Sequence, residues 1–453
     1  MKIIKYTFLL FAGLIFASCA DKLDIKPLNT VGSSQALSSS GDVEALLVGS
    51  YTALGDGDVY GGNILRDADL LGDDGEIAWD GTFVAPGEIW DKNMLKTNDQ
   101  AQETWIGAYT TINNVNIVLA NLGKVTADKK DRVEGEAKFL RGVMYFELAR
   151  IYGKTWMDGN PAQNLAVPIL LAPSDATNIA AKVKRNTVSE VYAQVIADLQ
   201  AAETLLPTRN GIFANSYSAS AILSRVYLMQ NKFPEAVTAS NRVISSGLFS
   251  LTPVFADAFG RTSTASTSRT SIGFATTEDV FAVQVTSQAG VNNLNTFFDP
   301  TGRGDIPVED FHLSLYEIGD ARRAFFQTSG GVRYTRKYTN RFANISIVRL
   351  AELYLTRAEA NLRAGTTTGA APLADVNRIR TRVGLSNLTT VTTADVLKER
   401  KLELAFEGHL IHDIKRTQGT VGALPFSSPK LVFPIPQRET ILNSELVQNE
   451  GYQ

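Results

Sequence analysis

The sequence predicts a mainly α-helical protein made of several stacked helical hairpins, together with an irregular layer of long loops and short strands. Two observations predict the helices: apolar residues recur every three or four positions along four segments of the 453-residue chain, and a glycine or proline follows each segment. A third observation predicts the irregular layer. Residues 55–95 and 260–310 lack this period, the first being rich in Gly and Asp and the second beginning with a Ser/Thr-rich run.

The four periodic segments predict helices in chain order. The apolar stripes run from Trp105 to Leu119 before Gly123, from Ala137 to Ile151 before Gly153, from Val188 to Leu206 before Pro207, and from Val348 to Leu362 before Gly365. Trp105 lies on its stripe and is expected in the core. Repeated helices of similar length with small residues at their contacts are typical of stacked hairpins.

One hairpin matches the tetratricopeptide repeat in part. A small residue of that pattern lets two helices approach closely, and a tyrosine fills the groove between them. The matching positions are Leu223, Ser224, Tyr227, Phe233 and Ala236. Ser240 stands where an aromatic residue is usual, so the match is incomplete but supports a helical hairpin.

The two irregular segments are the predicted location of a binding site, because long loops in a compact helical body are uncommon and often functional. The second segment contains the low-complexity run 261–269 and a predicted strand from Asp279 to Val285. Indoles and phenyl rings presented by loops can stack on the apolar face of a sugar. The aromatic residues in question are Trp79, Phe83, Trp90 and Phe298; for each ring, anchoring a loop onto the body is an equally good interpretation.

The N-terminus predicts export and lipid attachment. Lys2 and Lys5 precede a short apolar run that ends at Cys19, the only cysteine of the chain. We interpret residues 1–18 as a lipoprotein signal peptide and Cys19 as the lipidation site, with 19–41 as a tether. The alternative is a free buried cysteine behind an ordinary signal peptide. A single domain is expected over 42–453, with an N-terminal part at about 42–255 and a C-terminal part at about 256–453.

Composition excludes several classes of protein. A formal charge of −3 provides no basic field for nucleic acid. The mature chain has no cysteine pair for a disulfide and must be held together by burial of apolar surface, which its 44% hydrophobic content allows. No later segment has the roughly 20 uncharged apolar residues that span a bilayer.

No metal site is predicted. His409 and His412 have helical spacing but lack a third ligand, and the remaining histidine is His312. Asp56, Asp58, Gly61 and Asp67 resemble a calcium loop, but Tyr60 occupies a position that needs an oxygen ligand, so a solvated loop is favoured.

No catalytic group is predicted either. Asp73, Asp74 and Glu76 are so close in sequence that their side chains point apart, which is poor geometry for a glycosidase pair. The chain has no Gly-x-Ser-x-Gly elbow and no phosphate-binding loop. We therefore expect no catalytic residue and no cofactor.

Several motifs resemble, in order, those of the SusD/RagB family of nutrient-binding outer-membrane lipoproteins of Bacteroidota. They are Cys19 to Pro27, Gly135 to Gly153, Val167 to Ile169, Arg185 to Tyr192 with Asp198-Leu199, Arg349 to Ala360, Asn377 to Leu385, Glu399 to Asp413, Pro434 to Glu439, and Gln448 to Tyr452. The resemblance implies a SusD-like fold with tetratricopeptide-like hairpins beneath a ligand-facing layer of loops and short strands.

The resemblance also implies a function. It predicts a non-enzymatic protein, lipid-anchored to the outer membrane and facing the exterior, that binds an oligosaccharide or a peptide. The partner it implies is a SusC-like TonB-dependent transporter, over which the protein acts as a lid. The family's ligand residues come from variable loops, which points first to Trp90, Asn93 and Asp73, and then to Trp79 and Phe298. Two alternatives stay open: a tetratricopeptide-type scaffold lipoprotein that binds other proteins, and a helical-barrel glycoside hydrolase.

Overall fold

The computed structural model of the chain describes residues 37–174, 182–259, 276–286, 288 and 290–452. The predicted signal peptide, Cys19, most of the tether and the low-complexity run 261–269 lie outside the described residues. Within the described ranges, no helix is both long and apolar enough to cross a membrane.

The N-terminal part is helical, and its helices begin where the sequence supplies side-chain caps. Ser39, Thr187 and Asn215 each accept a hydrogen bond from the backbone three residues later in a capping box, which satisfies N–H groups that a helix start leaves free. The helices are α1 (Ser40–Leu54), α2 (Asn63–Gly72), α3 (Val84–Trp90), α4 (Asp99–Ala120), α5 (Ala127–Tyr152), α6 (Val188–Leu205), α7 (Ser216–Met229) and α8 (Phe233–Ser245).

Successive helices from α4 to α8 pack against one another as hairpins. Small residues allow the close approach: a Cβ on Gly142 of α5 would lie 3.0 Å from Cγ of Leu199 on α6. In the hairpin of α7 and α8, Ser224 and Ala236 are both buried at the contact, as the tetratricopeptide pattern requires. The predicted helical hairpins are confirmed.

The C-terminal part mixes short strands with helices. Among its described residues the sheets are three antiparallel pairs, β1 with β4, β2 with β3 and β5 with β6. The strands are β1 (Asp279–Val283), β2 (Phe326–Ser329), β3 (Val332–Thr335), β4 (Ile345–Arg349), β5 (Thr420–Val421) and β6 (Leu424–Pro425). The helices are α9 (Asn293–Phe298), α10 (Asp310–Ser314), α11 (Leu350–Ala364), α12 (Pro372–Arg382), α13 (Thr393–Glu403), α14 (Leu410–Arg416) and α15 (Gln437–Leu442).

The fourth predicted stripe is correct except at its start. Val348 belongs to strand β4, where it pairs with Phe281, and helix α11 begins two residues later at Leu350. An apolar residue just before a helix can match the period of that helix by chance, even when it belongs to a strand. The predicted stop is confirmed, because Gly365 adopts φ 66°, the left-handed conformation of a helix C-cap.

Buried ion pairs join elements that are distant in sequence. Arg349 binds Glu403 at 2.6 Å and Glu407 at 2.7 Å, and Arg225 of α7 binds Glu352 of α11 at 2.7 Å. These side chains are almost completely shielded from water, so their geometry is fixed by mutual hydrogen bonds.

The two irregular segments meet in space. The strip from Glu76 to Asp80 runs antiparallel to 305–309: the Asp80 N–H donates to the carbonyl of Asp305 at 2.9 Å, and the Glu309 N–H donates to that of Glu76, also at 2.9 Å. The Val308 N–H donates to the carbonyl of Arg333, which connects this pairing to β3. The irregular layer is therefore one structure built from both segments.

Candidate functional site

The site lies on this layer, where the loop between α2 and α3 carries aromatic rings. Asp73 ends α2 and holds the loop together: its Oδ1 accepts the N–H groups of Glu76 at 2.8 Å and Ile77 at 3.0 Å. Its Oδ2 accepts the indole N–H of Trp90 at 3.0 Å. Because Asp73 is only 5% exposed, its carboxylate serves to orient the half-buried ring of Trp90.

Lys92 secures the same corner. It adopts φ 54°, a left-handed conformation that costs a non-glycine residue about 1–2 kcal/mol. Its Nζ donates to the carbonyl of Asp73 at 2.8 Å, and its burial lowers the pKa of the ammonium group. Next to it, Asn93 is exposed, and its side chain makes no hydrogen bond to any residue in the described ranges.

Trp79 packs between the two irregular segments. Its ring centroid is 5.9 Å from that of Phe297 on α9, and its indole edge lies against Gly87 of α3. Gly81 is required beside it, because a Cβ there would collide with the indole and with Asp305. The indole N–H is shielded from water and has no acceptor among the described residues.

Phe83 is the most accessible ring of the site, with 48% of its surface exposed. The guanidinium of Arg303 lies 4.0 Å from its centroid, a cation–π contact. Arg303 is oriented by Asp305, whose Oδ2 lies 2.6 Å from Nε, and by the hydroxyl of Thr82 at 3.1 Å. Phe297 supports the group from below, edge-on to Phe83 at 6.3 Å.

Of the five predicted residues, Asn93 is exposed, Trp79 and Trp90 are partly buried, and Asp73 is buried but bonded to Trp90. The fifth predicted residue, Phe298, does not reach the surface. It is completely buried, with ring centroids 5.6 Å from Tyr338 and 5.8 Å from Phe406, so it belongs to the core. Consecutive residues of a helix point about 100° apart, so the neighbouring Phe297 faces the site instead.

Sequence reasoning missed Phe297, Arg303 and Asp305 as parts of the site. Arg303 and Asp305 are two residues apart in the second irregular segment, a charge pair that signals a fixed arginine. Nothing in the sequence indicates that this pair reaches Phe83, which lies more than 200 positions earlier.

The histidines and the calcium-like loop have structural roles. His409 and His412 are buried, which lowers the pKa of each well below its usual value. Tyr60 donates to Glu147 at 2.6 Å, and Asp67 pairs with Arg66 at 2.7 Å. No cluster of three potential metal ligands occurs in the part of the chain that the structure describes.

The carboxylates near Trp79 differ in burial and in partners. Glu76 is buried and paired with His312 at 2.7 Å and with Lys401, whereas Asp74 is exposed. Burial alone would raise the pKa of Glu76, but these two partners outweigh it and lower that pKa. Trp105 is a core residue, as its stripe predicted.

Aromatic rings displayed by loops on a body of helical hairpins are the geometry of a surface binding protein. Comparison with models of protein families identifies the family. Residues 31–228 match the SusD-like family described as "Starch-binding associating with outer membrane", and residues 322–424 match the SusD family. The chain belongs to the SusD/RagB family, whose members are outer-membrane-associated carbohydrate-binding proteins.

Individual relatives agree with this assignment. SusD-like protein P2 of Formosa agariphila is 26% identical over the full length of both chains. Starch-binding protein SusD of Bacteroides thetaiotaomicron is 32% identical over 24% of this chain and 22% of its own length. A crystal structure from Bacteroides vulgatus superposes with a TM-score of 0.81 at 26% identity, covering 92% of this chain and all of that one.

Proposed function

We propose that the protein binds an oligosaccharide on the surface formed by Trp79, Phe83, Trp90 and Asn93, and that it does so without turnover. The observation that carries this proposal is the exposed ring of Phe83, which lies under the guanidinium of Arg303 and packs, like Trp79, on Phe297. Rings that are already immobilised lose little conformational entropy when a sugar stacks on them.

Polar groups at the edge of the rings would fix the orientation of the sugar. The exposed amide of Asn93 has both a donor and an acceptor for hydroxyl groups. Arg303 uses Nε and one terminal nitrogen for Asp305 and Thr82, which leaves its other terminal nitrogen available for a ligand. Asp73 contributes indirectly, by holding the ring of Trp90.

The same proposal extends to delivery. Lipidation at Cys19 would anchor the protein to the outer membrane, facing outward, where it would act as the lid of a SusC-like TonB-dependent transporter. Residues 42–453 would move as one domain, because a single hydrophobic core includes Val43 of α1 and Ile435 near the C-terminus. Protease shaving of intact cells tests the location, and co-purification of a transporter tests the partnership.

The binding test uses a double variant, Trp79→Ala with Trp90→Ala, on an array of neutral and anionic oligosaccharides followed by calorimetry. Losing two stacked rings should weaken binding at least about fivefold, since each aromatic contact is worth about 0.5–1.5 kcal/mol. Trp156→Phe is the control, because Trp156 packs on Tyr192 in the hairpin body at 5.2 Å. Unchanged affinity in the double variant would refute the site, and release of shorter sugars would refute binding without turnover.

A further inference from the structure

The surface around the site is acidic. Residues 73–93 contain six carboxylates and one lysine. Three of the carboxylates are committed to the scaffold: Asp73 through its three N–H donors, Glu76 through His312 and Lys401, and Glu88 through the side chain of Asn98 at 2.8 Å. The other three are Asp74, Asp80 and Asp91.

These three carboxylates are exposed and form no salt bridge among the described residues, although Lys92 attracts Asp74 and Asp91 at longer range. None of Asp74, Asp80 and Asp91 has a cationic group within 4.0 Å among the residues that the structure describes. Each of them directly follows a residue of the candidate site in the chain: Asp74 follows Asp73, Asp80 follows Trp79, and Asp91 follows Trp90.

The cationic side chains of the site already have acceptors within the protein. Arg303 is neutralised by Asp305 at 2.6 Å. Lys92 directs its Nζ to the carbonyl of Asp73, and its partial burial disfavours the charged form. Near Asp80, burial raises the pKa of Tyr334, and the carboxylates of Asp80 and Asp305 raise it further. Both cationic side chains of the site therefore already have a protein acceptor, so an anionic sugar would have to compete with Asp305 and with the carbonyl of Asp73 for them.

We propose that this face selects uncharged oligosaccharides and repels sulfated or carboxylated ones, with Asp74, Asp80 and Asp91 as the residues responsible. The inference depends on the proposed glycan binding and adds the class of ligand. Like charges across an interface disfavour the wrong partner, whereas a neutral sugar pays no such penalty. Repulsion at this range is screened by salt, since the Debye length is about 8 Å at physiological ionic strength.

The test compares matched neutral and anionic probes by calorimetry. The neutral probes are maltohexaose, cellohexaose and mannohexaose, and each anionic probe is the same sugar with its C6 hydroxyls oxidised to carboxylates. At about 20 mM salt we expect the oxidised form of a bound sugar to bind at least about fivefold more weakly. Raising salt to about 500 mM should narrow that difference by screening the repulsion.

A triple variant separates repulsion from the loss of C6 hydroxyl contacts. Asp74→Asn, Asp80→Asn and Asp91→Asn together should leave the affinity for the neutral sugar within about twofold and narrow the neutral-to-anionic gap at least about threefold. The proposal is overturned if an oxidised sugar binds as well as its neutral parent at low salt, if its binding weakens as salt is added, or if the triple variant leaves the gap unchanged. Binding of no sugar from either series would overturn the proposed function itself, and this inference with it.

Discussion

The role of the buried Asp73 carboxylate can be tested by substituting either partner of its hydrogen bond with Trp90. In Asp73→Asn, the amide oxygen still accepts the N–H groups of Glu76 and Ile77, but the amide nitrogen faces the indole N–H and cannot accept it. In Trp90→Phe, the same bond is lost while an aromatic ring is kept. Both variants remove this hydrogen bond. Asp73→Asn also removes the negative charge near Lys92, and Trp90→Phe also reduces the packing of the ring on the core.

The expected magnitudes follow from the burial of the pair. A hydrogen bond to a charged acceptor contributes about 1.5–3 kcal/mol, and the half-exposed indole favours the lower end, so each variant should lose about 1.5 kcal/mol of unfolding free energy. Affinity should fall about three- to tenfold in Asp73→Asn, because a freed side chain costs about 0.5–1.5 kcal/mol to immobilise on binding. When Asp73→Asn is added to Trp90→Phe, the affinity should fall by a further factor of less than about two, since the bond is already absent.

The assay is a double-mutant cycle, with urea denaturation for stability and calorimetry with the best neutral sugar for affinity. The stability arm checks that both single variants fold and lose similar free energy. The affinity arm decides the role of Asp73. If Asp73→Asn weakens binding by the same factor with and without the indole, Asp73 contacts the ligand directly and its description as an orienting residue is wrong.

Three further predictions concern the scaffold, and urea denaturation measures each. Gly81→Ala should destabilise the protein by about 1–3 kcal/mol because its Cβ meets an indole, whereas Gly49→Ala, with open space around it, should not; equal effects would contradict the packing argument. Arg225→Met should cost about 3–5 kcal/mol by leaving Glu352 buried without its main partner, and Arg225→Met with Glu352→Gln should recover part of that loss. Burial raises the pKa of Asp69 to about 7, so its stabilising contribution is complete below about pH 4 and is lost as the pH rises towards 7. Asp69→Asn lacks this loss and should gain up to about 4 kcal/mol relative to the unmodified protein between pH 4 and pH 8; a pH-independent difference would show that Asp69 stays ionised.

Local patterns were enough to predict the helical body. The stripes ending at Gly153, Pro207 and Gly365 were correct because apolar period and helix stops are properties of neighbouring residues. The start of α11 was wrong at Val348 for the same reason. Whether an apolar residue ends a strand or begins a helix depends on its partner, here Phe281, which lies 67 positions earlier.

Local composition picked out only the part of the candidate site that lies in one segment, and the role of that part in binding stays a prediction. Trp79 lies in a loop and Trp90 ends the short helix α3. The segment 55–95 also contains helix α2, so the prediction that it is irregular throughout was wrong. Phe298 was wrong because the orientation of α9 is fixed by Tyr338 and Phe406, which the sequence does not connect to it. The contact of Arg303 with Phe83 joins two segments that only the folded chain brings together.

The position of Trp90 also depends on contacts that reach through the body. Arg349 binds Glu407, and the next residue, Gly408, donates its N–H to Asp69 of α2 at 2.9 Å. Helix α2 then ends at Asp73, which holds the indole. Buried ion pairs of this kind add little net stability, but they permit few alternative arrangements. The buried charges of the C-terminal part therefore restrict the direction in which α2 presents its loop, and this gives the face the rigidity that the proposed sugar binding needs.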